Sequence, residues 1–371
     1  MKNMKYVIAA GGTSGHINPA IAIADEIRKR EPGAYILFCG TKFGMENDIV
    51  PKHGYEMVHI DALGFPSRPS MKFFFAVKAF FSGRKQSRKL LRDMRPDAVI
   101  GTGGYVCGPV VSMAGSMKIP SLIHEQNAYP GKANRFLARK ADVVCISFPD
   151  AGKFFGKAKK IAMTGNPVRE VFYGLTKQKA REELDFGQDE KILFATGGSL
   201  GARTINQAVM DLLRNHAEPG FRIILACGKN AFQSLEEEAK KYFPVLTLKE
   251  YLYDQHLYLA AADIVLCRAG GITCSEIAIL SKASVMVPYP FAAGDHQTFN
   301  ARSFSDIGAS IRVADKDLNH QLLYEQINDL FGDPHRIAQI GKLAGTLALP
   351  DATSMIYKEL QEIILKKGGG T

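Results

Sequence analysis

The sequence predicts an α/β chain made of two parallel-sheet domains. Three observations carry that expectation. Short apolar runs alternate with amphipathic segments along the chain. Four of those runs end in glycine-rich turns that open helices. The length, 371 residues with 46% hydrophobic content, exceeds one ordinary domain and suits two.

The first unit begins with an apolar run, Tyr6 to Ala10, which reads as a buried strand. Gly11-Gly12-Thr13-Ser14-Gly15-His16 follows as a tight turn. A helix comes next, with Ile21, Ala24 and Ile27 at helical spacing. Strand, glycine turn and helix together aim backbone N–H groups at an anion, and His16 sits where it reaches what the turn binds. A dinucleotide fingerprint needs Gly-x-Gly-x-x-Gly and an acid ending the next strand. Here the next strand, Tyr35 to Cys39, runs into Gly40-Thr41-Lys42 with no acid, which argues against that reading. The bland alternative for His16 is a loop histidine that caps the helix.

Further strands are expected at 56–60, 97–101, 120–124, 143–147 and 160–164. Gly101-Thr102-Gly103-Gly104-Tyr105 is a second glycine turn after a strand. His124-Glu125-Gln126-Asn127 places four polar side chains at a strand's carboxyl end, where parallel sheets keep their chemistry; a polar loop with a helix cap is the plain alternative. Gly165-Asn166-Pro167-Val168-Arg169 breaks regular structure and is the expected link, giving domains 1–165 and 166–350.

The second unit repeats the device. A strand at 191–195 leads into Thr196-Gly197-Gly198-Ser199-Leu200-Gly201, then a helix from Arg203. Strands follow at 221–226, 245–248, 264–267, 284–287 and 310–313. Arg268-Ala269-Gly270-Gly271-Ile272-Thr273-Cys274-Ser275-Glu276 is a fourth turn, ending in an acid early in a helix. A glutamate there can accept hydrogen bonds from both hydroxyls of a ribose, and the preceding N–H groups can take phosphates. Two Rossmann-like domains facing across a cleft are therefore expected. The tail, 351–371, reads as an amphipathic helix bearing Ile356, Leu360, Ile363 and Ile364, docking by its apolar face, with a disordered end from Gly368.

Composition narrows the partners. Net charge is +10, but residues 1–165 carry +13 and the remainder −3. A basic first half suits an anionic partner. Phe73, Phe74, Phe75, Phe80 and Phe81 lie beside Lys72, Lys78, Arg84 and Lys85. Either this helix buries a wide apolar face, or it touches an anionic membrane surface. Nucleic acid is not expected, since no binding motif accompanies the charge. No apolar run approaches the ~20 residues of a membrane span. The six cysteines are scattered without a CxxC pair and read as small buried hydrophobes. No Asp-x-Asp motif ends a strand, so neither metal nor cofactor is expected in the chemistry.

Seven motifs recur in one order: Gly-Gly-Thr-x-Gly-His at 11–16, Gly-Gly-Tyr-Val at 103–106, His-Glu-Gln-Asn at 124–127, Gly-Asn-Pro-Val-Arg at 165–169, Gly-Gly-Ser-x-Gly-Ala at 197–202, Arg-x-Gly-x-x-Thr-x-Ser-Glu at 268–276 and Asp-His-Gln-Thr-x-Asn-Ala at 295–301. Each is weak alone. Together, from residue 5 to near 360, the chain resembles the MurG family of bacterial GT-B glycosyltransferases. The resemblance implies transfer of GlcNAc from UDP-GlcNAc to the lipid-linked muramyl-pentapeptide, lipid I, making lipid II with inversion. It implies that Thr13, Ser14, Gly15 and Asn127 contact UDP-GlcNAc from the first domain. Arg169, Ser199, the Leu252 backbone, Gly271, Ile272, Thr273, Cys274, Ser275, Glu276 and Gln297 are implied to hold it from the second, with Glu276 on the ribose. His16 is the implied general base and Glu125 its support or the acceptor's. The phenylalanine stretch matches the family's membrane-facing region, which implies a peripheral enzyme on the cytoplasmic face of the cell membrane. Cell-wall synthesis or division proteins stay open as partners.

One departure is visible. Ser14 stands where the family usually has glycine, and a serine fits there only if its φ is not positive. Competing readings are a GT-B enzyme with another lipid acceptor such as diacylglycerol, a UDP-GlcNAc 2-epimerase, and a non-catalytic nucleotide-sugar-binding scaffold.

Overall fold

The structure, a computed structural model, describes residues 3–66, 70–198 and 200–368. Two compact units emerge: Met1–Val168 with Asp351–Thr371, and Arg169–Pro350.

In the first unit the strands are β1 (Lys5–Ala10), β2 (Tyr35–Gly40), β3 (Glu56–His59), β4 (Ala98–Gly103), β5 (Ser121–Glu125), β6 (Val143–Ile146) and β7 (Ile161–Met163). Among the described residues they form one parallel sheet in the order β3-β2-β1-β4-β5-β6-β7. Both faces are covered, so β1 reads as an unbroken apolar run. Its side chains alternate: Tyr6, Ile8 and Ala10 pack with Ile17, Ala20, Ile21, Ala24 and Ile27 of the Ser14–Arg30 helix, while Val7 and Ala9 join a separate core with Val110, Val111 and Leu91.

The second unit holds β8 (Ile192–Thr196), β9 (Arg222–Ala226), β10 (Leu246–Lys249), β11 (Ile264–Cys267), β12 (Ala283–Met286) and β13 (Ile311–Arg312). Their order is β10-β9-β8-β11-β12-β13, again parallel. Each sheet thus reverses its winding once, between β1 and β4 and between β8 and β11. Ligands of open parallel sheets bind at such switch points, outside the carboxyl ends of the strands. The four glycine turns lie at those four strand ends.

The C-terminal helix, Ala352–Gly368, belongs to the first unit. Ile356, Leu360 and Ile363 complete the core beneath the Ser14–Arg30 helix. Burial of each such side chain is worth about 1.5–3 kcal/mol. A polar cluster fixes the register: Tyr6, Tyr357 and Gln361 all donate to the Glu31 carboxylate, at 2.9, 2.7 and 2.8 Å. Lys160 pairs with Glu359 and Glu362. The expected disordered end begins at Gly368; residues 369–371 lie outside the described residues.

The helix Met71–Met94 inverts ordinary amphipathic logic. It buries Ala76, Gly83, Ser87 and Leu91 and turns most of its phenylalanines outward. Gly83 lies so close to its neighbours that a Cβ there would stand 2.1 Å from the Asp61 carbonyl oxygen. Phe73, Phe74, Phe75 and Phe81 are exposed, Phe74 and Phe81 at 64% and 65%. The structure therefore excludes the core reading for this stretch. The six cysteines are buried free thiols, as their scatter suggested. Among the described residues no helix is long and apolar enough to cross a membrane.

Candidate active site

The first glycine turn is held from behind. Gly12 takes φ +89°, a conformation glycine adopts without strain. Its N–H donates to Glu46 Oε2 at 2.9 Å. Glu46 Oε1 accepts from the Thr41 N–H and hydroxyl, both at 2.8 Å. The Glu46 side chain is fully buried. Burial pushes its carboxyl up, but the bonds from Thr41 and Gly12 outweigh that and hold it below the usual carboxylate range. This changes one expectation: the Gly12 N–H faces an internal carboxylate rather than an outer anion. No acid ends β2, as the sequence indicated; the first acid beyond it, Glu46, stands six residues on and serves the turn.

Ser14 opens the Ser14–Arg30 helix and is absent from the positive-φ residues, so serine fits where the family usually has glycine. Thr13 and Gly15 are exposed and Ser14 half-buried. His16 follows within the helix's first turn. Its N–H donates to the Thr13 carbonyl at 3.0 Å, and its own carbonyl accepts from Thr102 Oγ1 at 2.8 Å. The second glycine turn presses on the first. A Cβ on Gly103 (φ +127°) would lie 2.3 Å from His16 Nδ1, and one on Gly104 (φ +84°) 2.2 Å from the Gly11 carbonyl oxygen. Both positions therefore require glycine.

The β5 end completes this edge. His16 Nδ1 lies 3.1 Å from Gln126 Oε1. Gln126 Nε2 donates to the Thr102 carbonyl at 2.6 Å and meets His124 Nδ1 at 3.0 Å. Thr102 is the residue skipped by the β1–β4 register, which passes from Gly101 to Gly103. His124 is buried, and burial pushes its pKa down to about 4, with the Gly165 bond opposing and His16 adding to the shift. It is neutral at physiological pH.

Glu125 is 1% exposed. Its carboxylate accepts from the Asn127 N–H (3.0 Å) and Nδ2 (3.1 Å), the Gly131 N–H (3.1 Å) and Asn134 Nδ2 (2.9 Å). Those bonds shape the loop that carries Gln126 and the half-buried Asn127. The sequence marked Glu125 and Asn127 but gave Gln126, Glu46 and Thr102 no role. For Glu46 the available signal was an acid at the start of the helix that follows β2. For Gln126 it was membership of a four-residue polar cluster.

In the second unit the third turn places Gly198 and Gly201 at φ +83° and +75°. Ser199 lies outside the described residues. The fourth turn opens the helix Gly271–Ile279. Ile272, Thr273 and Ser275 are half-buried on it, Gly271 and Cys274 buried. Glu276 is buried too, and burial pushes its pKa up to about 7, with Arg169 pulling the other way. That coupling brings Arg169 and Glu276 into one electrostatic site. Arg268 is spent on the fold: it donates to the Val287 and Pro288 carbonyls and pairs with Asp315 at 2.5 Å. Gln297 accepts from the Tyr289 N–H at 2.9 Å, and buried Asn300 donates to the Ala269 carbonyl at 3.0 Å, tying the 295–301 loop to the fourth turn. Leu252 is buried.

Two switch-point sites, one with a histidine on a braced turn and one with a buried glutamate on the helix that a glycine turn opens, fit a nucleotide-sugar transferase. Comparison with known proteins agrees. Residues 6–146 match the glycosyltransferase family 28 N-terminal domain, and residues 192–354 match its C-terminal domain. The chain belongs to the MurG branch of glycosyltransferase family 28. It is 41% identical over 369 residues, covering 99% of this chain and all of the relative, to the UDP-N-acetylglucosamine--N-acetylmuramyl-(pentapeptide) pyrophosphoryl-undecaprenol N-acetylglucosamine transferase of Acetivibrio thermocellus. A protein of the same name from Caldanaerobacter subterraneus is 41% identical over 364 residues, 97% of this chain and all of the relative. Among solved structures, MurG of Acinetobacter baumannii superposes with a TM-score of 0.79 at 28% identity, covering 97% of this chain and 100% of the other. UDP-GlcNAc 2-epimerase of Neisseria meningitidis reaches 0.66 at 15% identity over 97% and 100% of the two chains, a likeness of fold alone.

Proposed function

We propose that this chain transfers GlcNAc from UDP-GlcNAc to the C4 hydroxyl of the MurNAc-pentapeptide of lipid I, forming lipid II for peptidoglycan synthesis. The observation that carries the reading is His16, set on a turn braced by Glu46, in a chain 41% identical along its length to transferases of that printed name. The acceptor oxygen attacks the anomeric carbon, the bond from that carbon to UDP breaks, and its electron pair leaves with UDP. His16 takes the hydroxyl proton. A positioned base of this kind contributes about 10²–10⁴-fold. Configuration inverts because there is one displacement.

Thr13, Ser14, Gly15 and Asn127 contact the donor from the first unit in this reading. The third and fourth glycine turns, including Ser199 and 271–275, together with Arg169, Leu252 and Gln297, hold its diphosphate and base. N–H groups at helix starts stabilise the departing charge. Glu276 accepts from the ribose hydroxyls. Glu125 acts through the loop it shapes, supporting His16.

The aromatic face of the Met71–Met94 helix supports contact with an anionic membrane surface. Phe65, Phe73, Phe80, Phe81 and Phe136 form a chain of ring contacts at 5.8–6.3 Å. Lys72, Lys78 and Lys85 are exposed beside them, and the Arg84 and Arg139 guanidinium groups lie over Phe80 and Phe136. Apolar rings ringed by cations are what an interfacial contact uses. The enzyme then works as a peripheral protein on the cytoplasmic face of the cell membrane, where lipid I presents its sugar. An epimerase has no use for this patch.

Transfer of radiolabelled GlcNAc to a short-chain lipid I analogue, and none to diacylglycerol, is the expected outcome in a direct assay; transfer to diacylglycerol alone would refute the acceptor assignment. UDP-GlcNAc affinity is expected to rise about tenfold from pH 6 to pH 8, because the ribose bonds need the Glu276 carboxylate, whose proton leaves as the pH rises through about 7. A titration that is flat in this range, or the same slope in Glu276→Gln, contradicts the ribose role. In flotation with phosphatidylglycerol-containing vesicles the wild type rises with the lipid, whereas Phe74→Ser/Phe81→Ser stays below; equal flotation of both would remove the patch from membrane binding.

A further inference from the structure

At the carboxyl edge of the first sheet, four groups form a continuous hydrogen-bond chain in which each link dictates the next. The chain starts at the Gly165 carbonyl, which can only accept. His124 Nε2, 2.9 Å away, therefore carries the imidazole proton. Neutral imidazole has one such proton, so His124 Nδ1 accepts. Its donor is Gln126 Nε2 at 3.0 Å. That same amide atom stands 2.6 Å from the Thr102 carbonyl oxygen, where only an NH₂ group can sit. The amide's orientation is thus fixed twice over, and its remaining atom is the oxygen.

That oxygen, Gln126 Oε1, faces His16 Nδ1 at 3.1 Å. A carbonyl oxygen accepts, so His16 Nδ1 carries the proton and Nε2 holds the lone pair. The ring is seated to match. Gly103 packs against its Nδ1–Cε1 edge, and the Thr102 hydroxyl ties down the His16 carbonyl. Burial keeps His124 neutral, which preserves its alternation of donor and acceptor.

We propose that Gln126, held by Thr102 and His124, is a positioning residue that sets the tautomer of His16 and so makes Nε2 the nitrogen offered to the acceptor hydroxyl. Imidazole in water prefers its proton on Nε2, the opposite arrangement. The protein imposes the less common form, and does so with a neutral amide. The amide oxygen accepts from Nδ1–H both before and after Nε2 takes the substrate proton, more strongly once the ring is charged. The Gln126 side chain bonds His16, Thr102 and His124, none of them a donor contact in this reading, so the relay leaves donor affinity alone. The inference rests on the reading of His16 as general base.

The test is two-bond ¹H–¹⁵N correlation spectroscopy on the full chain labelled at histidine, with His16 assigned by its loss in His16→Ala. The expected spectrum shows a protonated Nδ1 and a bare Nε2 for His16. In Gln126→Leu the proton moves mainly to Nε2, kcat falls about tenfold and KM for UDP-GlcNAc stays within about threefold, a split that removal of a transition-state contact produces. A wild-type His16 with its proton on Nε2 overturns the relay, and that reading needs no variant to fold. Wild-type kcat in a folded Gln126→Leu overturns it as well. Full turnover in His16→Ala would instead overturn the base assignment, and with it the catalytic meaning of the tautomer. The spectrum would then still show protonated Nδ1, so the two failures are distinct.

Discussion

A carboxylate buried behind the first glycine turn holds this site in shape. Glu46 has no exposed surface, yet it is kept ionised by the Gly12 and Thr41 N–H groups and the Thr41 hydroxyl. A buried charge is tolerated only when such donors surround it. The turn cannot relax without leaving that charge unpaired. Its path is thereby fixed, and the position of His16 with it. A carboxylate behind the turn also repels a pyrophosphate brought close to the Gly12 amide, which is a physical reason why this glycine loop does not serve a dinucleotide.

The same device recurs at β5. Glu125 is buried and accepts four N–H bonds from its own loop and from Asn134 on the following helix, and the segment so held delivers Gln126 toward His16. Between these two braces the β1–β4 register skip frees Thr102 to bond both His16 and Gln126. Binding energy here goes into fixing loops before substrate arrives, which is how loop-borne groups reach catalytic precision. In the second unit the buried acid is treated in the opposite way. Burial pushes Glu276 up to about 7, with only Arg169 pulling the other way.

Much of this was legible in the sequence. Every expected strand formed within two residues of its predicted bounds, because parallel strands covered on both faces are continuous apolar runs ended by glycine. The four glycine turns announced the switch points. The Phe-rich helix was ambiguous for a definite reason: its buried stripe is Ala76, Gly83, Ser87 and Leu91, so hydrophobicity pointed to the wrong face. Glu46 was missed because the search for an acid stopped at the end of β2. The roles of Gln126 and Thr102 depend on register and amide orientation, which no residue pattern encodes.

The first turn presents His16 because Glu46 braces it. Replacing Glu46 by Gln keeps the side-chain volume but sets an NH₂ group against N–H donors, at a cost of about 1–3 kcal/mol for the unmet bonds. Turnover and UDP-GlcNAc affinity should be measured on that variant with its fold confirmed by circular dichroism. A loss of kcat of at least about tenfold is expected, with weaker donor affinity as well, since Thr13, Ser14 and Gly15 lie on the same turn. A folded Glu46→Gln enzyme with wild-type kcat would contradict it.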